Sequence, residues 1–314
     1  MDNYQKIKVI GRGAHGTVSL YIRQSDGKRV VIKEIPVELK TSSERQAALG
    51  EAKTLQMFNF PFIIGYYEYF FDDDNLCIVM EYADGGTLAD FLSERNGHLL
   101  DEEQILQLFA QIVLSLHHLH SRQVLHRDLK TQNILLNRNR TICKLSDFGI
   151  SKILSNTKSK ATTVLGTPSY MSPEICEGKP YNQKSDIWSL GCVLYELATL
   201  KRAFDAETMG ALVMKIMRGD IGKIPDTCSE DMRLLMLRLM ERDPSKRPTV
   251  AEIMAMPIVL GPILKLMAST GALPCSRPRS LKTSANQKLR SSIGSRAKHA
   301  VQQQPLSEAK PSGK

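Results

Sequence analysis

The chain has 314 residues, with 42 Lys and Arg against 33 Asp and Glu, 42% apolar residues and 6% aromatic residues. This composition excludes a collagen-like repeat and a fully disordered chain, and it allows one large domain or two smaller ones. No run of about 18 apolar residues occurs and the first residues lack the layout of a signal peptide, so we expect a soluble intracellular protein. The six cysteines form no C-x-x-C pair, which predicts free thiols in a reducing compartment.

The formal net charge of +9 is confined to the C-terminal end of the chain. Residues 1–258 hold 32 basic and 32 acidic side chains, whereas residues 259–314 hold 10 and 1. From about Ser269 onward the sequence is rich in Ser, Lys, Arg, Gln and Pro. Such a segment buries too little apolar surface to offset the cost of ordering the backbone, about 1–2 kcal/mol per residue. We therefore predict that 261–314 is a short apolar end followed by a basic disordered tail.

The first 80 or so residues have strand patterns, and the remainder has helical periodicity. Alternating and β-branched runs predict four strands, Lys6 to Ile10, Thr17 to Arg23, Arg29 to Ile35 and Cys77 to Glu81. An apolar stripe from Ile105 to Leu119 predicts a long helix with one buried face. The pattern indicates an α+β fold with two lobes, a small strand-rich one over about 4–80 and a larger helical one over about 84–260.

A glycine-rich segment joins the first two predicted strands. Residues 11–16 fit G-x-G-x-x-G, which occurs in dinucleotide-binding folds and in the phosphate-covering loop of protein kinases. In a dinucleotide-binding fold the loop opens a helix, but here an alternating β-branched strand follows. With Val18 after the glycines and Lys33 at the end of the next strand, the pattern favours the kinase arrangement, in which Lys33 pairs the α- and β-phosphates of ATP.

A helix predicted from about Ser43 carries a carboxylate on its apolar face. Ala48, Glu51, Ala52 and Leu55 share that face, so Glu51 is expected to point inward. Because a buried carboxylate needs a cation, we predict that Glu51 pairs with Lys33.

Two further motifs carry the chemistry. Residues 126–133 match H-R-D-L-x-x-x-N, and Asp147-Phe148-Gly149 follows two short apolar strands, Ile134 to Leu136 and Ile142 to Leu145. In phosphoryl transfer Asp128 would accept the proton of the substrate hydroxyl, while Asn133 and Asp147 would bind Mg²⁺ through hard oxygen ligands.

With these motifs in order, the sequence resembles the eukaryotic protein kinases over residues 4 to about 260. Lys130 and the Gly166–Tyr170 run are typical of enzymes that phosphorylate Ser and Thr. The resemblance implies ATP and Mg²⁺ as cofactors, protein substrates, and bonds from Thr167 to Asp128 and Lys130.

The resemblance also implies an ATP site and structural contacts. The ATP-binding residues would be Ile10, Gly11, Gly13, Gly16, Val18, Lys33, Glu51, Met80, Glu81 and Ala83, with Met80 as gatekeeper and the backbone of Glu81 and Ala83 at adenine. Glu174 and Arg247 would form the buried pair that anchors the activation segment, and Asp186 would bond the backbone of the catalytic loop. Phosphate on Thr163, or on Thr162 as second choice, would pair with Arg127 and order that segment; the alternative is a segment ordered without phosphorylation.

Within the kinases, the Gly85–Leu88, 126–133 and 166–174 motifs resemble the NIMA-related (never-in-mitosis-A-related) family. The runs 177–188 and 200–204 resemble the branch linked to cilia and centrosomes, whose members usually continue into an RCC1-type propeller. The printed sequence stops after its basic tail, so propeller-dependent targeting is not carried over. Three residues depart from the family pattern without removing a catalytic group: His15, Ser146 and Ser172.

The resemblance extends to substrate choice and location. Ile150 after the D-F-G motif favours Thr over Ser as acceptor, and a large apolar residue is expected three positions before the acceptor. We expect a role in cell-cycle, microtubule or ciliary regulation, with a cytoplasmic location that extends to the cytoskeleton, centrosome or cilium base.

Two other functions are compatible with the sequence. One is a kinase-like scaffold that binds nucleotide without transfer, although every catalytic position is present. The other is binding to polyanions or the cytoskeleton through the basic tail, with nucleic acid an unlikely partner and a passive solvated linker the simpler alternative. A zinc site on His117, His118 and His120 is disfavoured because no Cys or carboxylate cluster accompanies them.

Overall fold

A computed structural model of the chain describes residues 1–13, 16–36, 58–73, 75–147 and 168–270. The chain divides into two compact units, Met1–Ser276 and Arg277–Lys314, and all the described residues belong to the first. The predicted helix from about Ser43 and the predicted tail beyond residue 270 lie outside the described residues.

Five antiparallel strands form one sheet with the order β1-β2-β3-β5-β4. Their bounds are β1 Tyr4–Gly13, β2 Gly16–Arg23, β3 Arg29–Pro36, β4 Tyr66–Asp72 and β5 Asn75–Glu81. The strand pattern misses β4, because this edge strand has a register irregularity between Tyr66 and Glu68 and is half-exposed on both faces. The sheet and the helices after it confirm the α+β class.

The two faces of the sheet pack into different cores. Val30 and Ile32 of β3 turn to one face and pack in a small cluster with Tyr4, Tyr21, Cys77 and Val79. Because side chains alternate along a strand, Lys33 and Ile35 turn to the other face. Ile35 joins the large core that continues through the helical region, so Lys33 lies on the side of the sheet that meets this region.

The helical region begins after β5. In the described part its helices are α1 Leu88–Glu94, α2 Glu102–His120, α3 Pro173–Cys176, α4 Gln183–Thr199, α5 Met209–Arg218, α6 Glu230–Leu239, α7 Val250–Ala255 and α8 Pro257–Thr270. The helix predicted from its apolar stripe is α2, which Asp101 caps by accepting the Gln104 N–H at 2.8 Å. Among the described helices, none is long and apolar enough to cross a bilayer.

Helix α4 lies at the centre of the helical region. Every residue from Ser185 to Thr199 is buried, as expected for a helix that is surrounded by other elements. Its N-terminus is closed by a capping box between Asn182 and Ser185. Trp188 stacks on Phe204 with ring centroids 5.3 Å apart, so α4 packs against the segment that follows it.

A short hairpin carries the chain from the predicted catalytic loop to Asp147. Its strands are β6 Ile134–Leu136 and β7 Cys143–Leu145, preceded by a 3-10 turn at Thr131–Asn133. Leu145 donates its N–H to the Phe62 carbonyl at 2.9 Å, and its own carbonyl accepts the Ile64 N–H at 2.9 Å. The hairpin is thereby tied to the segment that leads into β4.

Candidate active site

Lys33 contacts a carboxylate from a distant part of the chain. Its side chain, on β3 opposite Val18 and Ile78, is buried, and its Nζ lies 2.5 Å from Asp147 Oδ1. A buried ammonium requires an anion, and Asp147 provides it. The predicted partner Glu51 lies outside the described residues.

Asp147 lies two residues beyond β7 in an uncommon backbone conformation. Its φ of 52° falls in the left-handed region, which few non-glycine residues occupy and which recurs at functional sites. The side chain is 42% exposed although it contacts Lys33. The carboxylate therefore combines a fixed position with access from outside.

In the catalytic loop, two of the predicted site residues contact the carboxylate of a third, Asp128. Asp128 Oδ2 lies 2.8 Å from Lys130 Nζ and accepts a hydrogen bond from Asn133 Nδ2 at 2.9 Å. The same Nδ2 donates to the Asp128 carbonyl at 2.8 Å. Asp128 is thus held by a cation and an amide while its side chain remains 39% exposed.

Ser146 joins this loop to Asp147. Its backbone N–H and its hydroxyl both donate to the Asn133 carbonyl, at 2.9 and 3.0 Å. Asn133 and Asp147 are therefore connected through one residue. The sequence marked Ser146 only as a departure from the family pattern, and its hydroxyl proves to be part of this connection.

The donor chemistry of Asn133 and Asp147 fits magnesium. Mg²⁺ is usually held by one or two protein oxygens together with phosphate and water. Asp147 offers an accessible carboxylate, and Asn133, whose Nδ2 is used by Asp128, offers its amide oxygen. Within the described ranges there is no group of three or more His, Cys, Asp or Glu side chains that could hold a metal ion, the histidines of α2 included.

The described glycines of the glycine-rich segment lie at the end of β1 and the start of β2. Gly11 lies opposite Val18, and Gly13 lies opposite Gly16. Gly16 has a φ of +114°, and a Cβ there would lie 2.0 Å from the Glu34 carbonyl oxygen. Glycine at this position is therefore required by the close approach to β3. Ile10, in front of the segment, is 44% exposed, and His15 lies outside the described residues.

The segment predicted to meet adenine begins at the end of β5. Met80 and Ala83 are half-buried. The N–H of Glu81 donates to the Gly65 carbonyl at 2.7 Å, so a contact of Glu81 with adenine would use its carbonyl oxygen. The Glu81 carboxylate is held by Lys144, whose Nζ lies 2.7 Å from both of its oxygens.

Asp186 on α4 bonds the backbone of the catalytic loop. Its Oδ2 accepts the His126 N–H at 2.9 Å, and its Oδ1 accepts the Arg127 N–H at 3.0 Å. Arg127 has a φ of 65°, so this side chain holds a backbone conformation that is unfavourable by itself. Two more partners converge on the same carboxylate, the Tyr181 hydroxyl at 2.6 Å and His120 Nε2 at 2.7 Å.

Sequence reasoning missed Tyr181 and His120. Burial raises the pKa of Asp186, but the hydrogen bond from His120 and the other contacts outweigh it and hold that pKa below its ordinary value. One feature of the sequence could have indicated the role of His120. It lies at the end of the predicted helix α2, and a buried imidazole there needs a polar partner.

Glu174 and Arg247 form a fully buried ion pair. Arg247 Nη1 and Nη2 donate to the two Glu174 carboxylate oxygens, each at 2.8 Å, and Ser185 Oγ donates to Glu174 Oε1 at 2.8 Å. Burial raises the pKa of Glu174, but the bonds from Arg247 and Ser185 outweigh it and lower that pKa to about 2. The pair joins α3 to the segment that precedes α7.

The remaining predicted residues of the activation segment are not described. Thr162, Thr163 and Thr167, together with Ile150, lie in the range 148–167, outside the described residues. The described chain resumes at the 3-10 turn Pro168–Tyr170.

The sequence of the chain is similar to those of known protein kinases. Residues 4–259 match the family model of the protein kinase domain. The chain is similar to the serine/threonine-protein kinase Nek8 of Danio rerio, with 56% identity over 277 residues that cover 88% of this chain and 40% of that protein. It is 45% identical to the serine/threonine-protein kinase nekl-2 of Caenorhabditis elegans over 282 residues, which cover 87% of this chain and 79% of that protein. The serine/threonine-protein kinase Nek5 of Homo sapiens is 44% identical over 259 residues, which cover 82% of this chain and 37% of that protein.

Proposed function

This chain belongs to the protein kinases, and within them to the NIMA-related serine/threonine kinases, and from that premise we propose that it transfers the γ-phosphate of ATP to Ser and Thr hydroxyls of proteins. One observation carries the proposal: Lys33, Asp147, Asn133, Asp128 and Lys130 form a continuous series of contacts, through Ser146, at the meeting of the sheet and the helical region. The matched region covers less than half of Nek8 and Nek5, so the activity of the whole protein is part of the proposal.

Each residue has a distinct task in this proposal. Asp128 accepts the proton of the acceptor hydroxyl, and its contacts with Lys130 and Asn133 hold its carboxylate in one orientation. Lys33 binds the α- and β-phosphates, and Asp147 keeps its ammonium in place. Because phosphoryl transfer needs positioning and charge stabilisation more than covalent chemistry, residues fixed by two or more contacts suit it.

Mg²⁺ bound with ATP would neutralise charge on the phosphates during transfer. Asp147 and Asn133 would hold it, in keeping with their oxygen ligands. The glycines at 11, 13 and 16, with Ile10 and Val18, would cover the nucleotide, and Met80, the carbonyl of Glu81 and the backbone of Ala83 would border the adenine. Glu51 would complete the ATP site from the helix predicted near Ser43.

Acceptor binding and activation follow the family expectation. Thr167 would bond Asp128 and Lys130 beside the acceptor, and phosphate on Thr163, or on Thr162, would pair with Arg127. The buried pair of Glu174 and Arg247 would anchor the end of the segment that carries these threonines. A Thr acceptor with a large apolar residue three positions earlier is the expected substrate.

The cellular setting is proposed from the family alone. We expect a role in cell-cycle, microtubule or ciliary regulation, in the cytoplasm and at the cytoskeleton, centrosome or cilium base, with proteins of those structures as partners. The kinase domain would occupy about 4–260, with the basic tail after it. If the protein lacking 271–314 binds microtubules, membranes and nucleic acid at low salt as well as the full chain does, the tail has no docking role.

The experiment is phosphate transfer by purified full chain with Mg²⁺ and ATP, using a generic protein substrate. Lys33→Met and Asp147→Asn should each abolish transfer, whereas matched surface variants, Lys28→Met and Asp226→Asn, should not affect it. Lys28 is 66% exposed and Asp226 is 80% exposed, so these controls repeat the chemical change away from the site. Transfer that survives both site variants would point to a contaminating kinase, and nucleotide binding without transfer in the wild type would favour the scaffold function.

A further inference from the structure

One ion pair joins the end of β5 to the hairpin that leads to Asp147. Lys144, on β7, places its Nζ 2.7 Å from each carboxylate oxygen of Glu81. Glu81 Oε2 also accepts the Gly65 N–H at 3.0 Å, and the Glu81 N–H donates to the Gly65 carbonyl at 2.7 Å. We call Glu81, Lys144 and Gly65 the Glu81 clamp. The carboxylate of Glu81 is thus held by a cation and by a backbone N–H from different parts of the chain.

The clamp connects the two elements between which the proposed function places ATP. Glu81 ends β5, and its carbonyl oxygen is proposed to meet adenine. Lys144 lies three residues before Asp147, on the hairpin that follows Asn133. On the sheet ATP would contact Glu81 and Lys33, and on the hairpin side Asn133 and Asp147 would hold its Mg²⁺. The geometry of the site therefore depends on how the hairpin is placed against the end of β5.

The carboxylate of the clamp lies behind the sheet and not in the proposed ATP site. Lys33 pairs with Ile78 on the face that meets the helical region. Because side chains alternate along a strand, Glu81 turns to the opposite face from Ile78, the face of Val79 and the small cluster. The side chains of Glu81 and Lys144 would therefore not contact the nucleotide, and an effect of Lys144 on ATP has to act through the position of the Glu81 backbone.

Stability alone does not explain this pair. Lys144 and Glu81 are 23% and 29% exposed, and water screens an ion pair that lies near the surface. The pair suits a different task, because one ammonium in contact with both carboxylate oxygens, together with the Gly65 N–H, restricts Glu81 to one orientation. A site that is ordered before it binds a ligand loses less conformational freedom on binding and therefore binds the ligand more tightly.

We propose that Lys144 is a positioning residue for ATP, which holds the end of β5 against the hairpin through the Glu81 carboxylate and so keeps the adenine end of the site in register with Asp147. The inference rests on the proposed kinase function. It assigns no chemical step to Lys144, because this residue reaches the site only through Glu81. Loss of the ion pair should therefore weaken nucleotide binding and leave use of the acceptor peptide unchanged.

The test compares Lys144→Met with Lys144→Arg in the full chain. Methionine keeps the length of the side chain without its charge, and arginine keeps the charge and can donate to both carboxylate oxygens of Glu81. The readouts are the Kd of ADP by calorimetry with Mg²⁺ present, the KM of ATP and the KM of a Thr-containing peptide. Lys144→Met should raise the Kd of ADP and the KM of ATP about three- to tenfold with peptide KM unchanged, and Lys144→Arg should stay within about twofold of wild type.

A matched control comes from the same hairpin. Arg140 lies in the turn between β6 and β7 and pairs with Glu94 at the surface, where the two side chains are 37% and 57% exposed. Arg140→Met should leave the Kd of ADP unchanged. Amide hydrogen exchange at Gly65 and Glu81 should become faster in Lys144→Met and not in Arg140→Met, because only the first variant removes a contact of the clamp.

Glu81→Gln provides a second variant, which keeps an acceptor for the Gly65 N–H and removes the charge. It should raise the Kd of ADP as Lys144→Met does, and the two changes combined should add little, because they remove the same contact. A Kd of ADP in Lys144→Met that decreases or stays within about twofold of wild type, or a peptide KM that rises as much as the KM of ATP, would overturn the inference. A wild type that binds ADP without transferring phosphate would overturn the proposed function, while the Kd of ADP still tests the clamp. A wild type that binds no ADP would overturn both.

Discussion

Two ion pairs, each with at least one buried member, differ in how far their carboxylates are exposed. Arg247 uses all five of its N–H donors, two to the Glu174 carboxylate and three to the backbone carbonyls of Glu241, Lys184 and Arg242. Asp147, which contacts Lys33, has a side chain that remains 42% exposed, whereas that of Glu174 is 3% exposed. The saturated pair is suited to hold the fold, and the open pair is suited to accept a ligand.

The largest expected effect is in the candidate active site, to which the pair of Lys33 and the exposed Asp147 belongs. Asp128→Asn should lower the rate of peptide phosphorylation about 10²- to 10⁴-fold, because the amide cannot accept the hydroxyl proton as the carboxylate does. Since Asp128 is 39% exposed, the melting temperature should stay unchanged. Steady-state kinetics measure the rate, and thermal melting measures the stability. A melting temperature that falls together with the rate would show that Asp128 stabilises the fold.

The next largest effect concerns the buried pair of Glu174 and Arg247. Glu174→Gln should lower the free energy of unfolding by about 3–5 kcal/mol, because it leaves the Arg247 guanidinium buried without its carboxylate. Urea denaturation measures the loss, and Glu177→Gln, which breaks the surface pair with Lys179, should cause no measurable change.

The acid sensitivity of this pair has a defined sign. The pKa of Glu174 is about 2 in the folded protein and its ordinary value is 4.5, so the unfolded chain binds more protons between these values. The stabilisation is complete above about pH 4.5 and is lost as the pH falls toward 2. The difference between wild type and Glu174→Gln should therefore shrink with acid, and a constant difference down to pH 3 would contradict this account.

A smaller effect concerns a buried histidine of α2 that belongs to neither pair. Burial, with contributions from Arg122 and His117, lowers the pKa of His118 to about 4, and its ring stacks on Phe60 with centroids 4.3 Å apart. Because the ordinary value of 6.5 applies to the unfolded chain, stability should fall by about 1–2 kcal/mol between pH 7 and pH 5. His118→Leu should reduce the loss of stability by about that amount, and the exposed His98→Leu should leave the loss unchanged. Chemical denaturation at the two pH values measures both losses, and equal losses in the two variants would exclude His118 as a source.

The smallest effect distinguishes two hydroxyls near the saturated pair. Ser172 Oγ is buried without a hydrogen-bond partner in the described part of the chain, whereas Ser185 Oγ donates to Glu174. Ser172→Ala should change the free energy of unfolding by less than about 1 kcal/mol, and Ser185→Ala should lower it by about 1–3 kcal/mol. Urea midpoints of the two variants check the order, and a larger loss for Ser172→Ala would show a bond that the structure lacks.

Most of the fold and the chemical groups of the site could be predicted because their patterns are local. The β-branched run from Arg29 to Ile35 predicts β3, and the apolar stripe predicts α2 with a buried face. Strand β4 was not predicted, because an edge strand that is exposed on both faces shows no clear alternation of polar and apolar residues. The contacts of Tyr181 and His120 with Asp186 were not predicted. Asp186 is distant in sequence from His120, and no local pattern indicates that these side chains meet.

The sequence by itself determined the chemical groups and their order along the chain. The motif at 126–133 carries Asp128, Lys130 and Asn133 within six residues, so their proximity follows from the short connection between them. Only the tertiary structure decided how distant groups pair, as Lys33 does with Asp147, 114 residues away, and how Asp186 bonds the backbone of the catalytic loop. Such pairs depend on the packing of the sheet against the helical region, which no local periodicity encodes. The same packing decides which carboxylate is saturated and buried and which remains open to a ligand.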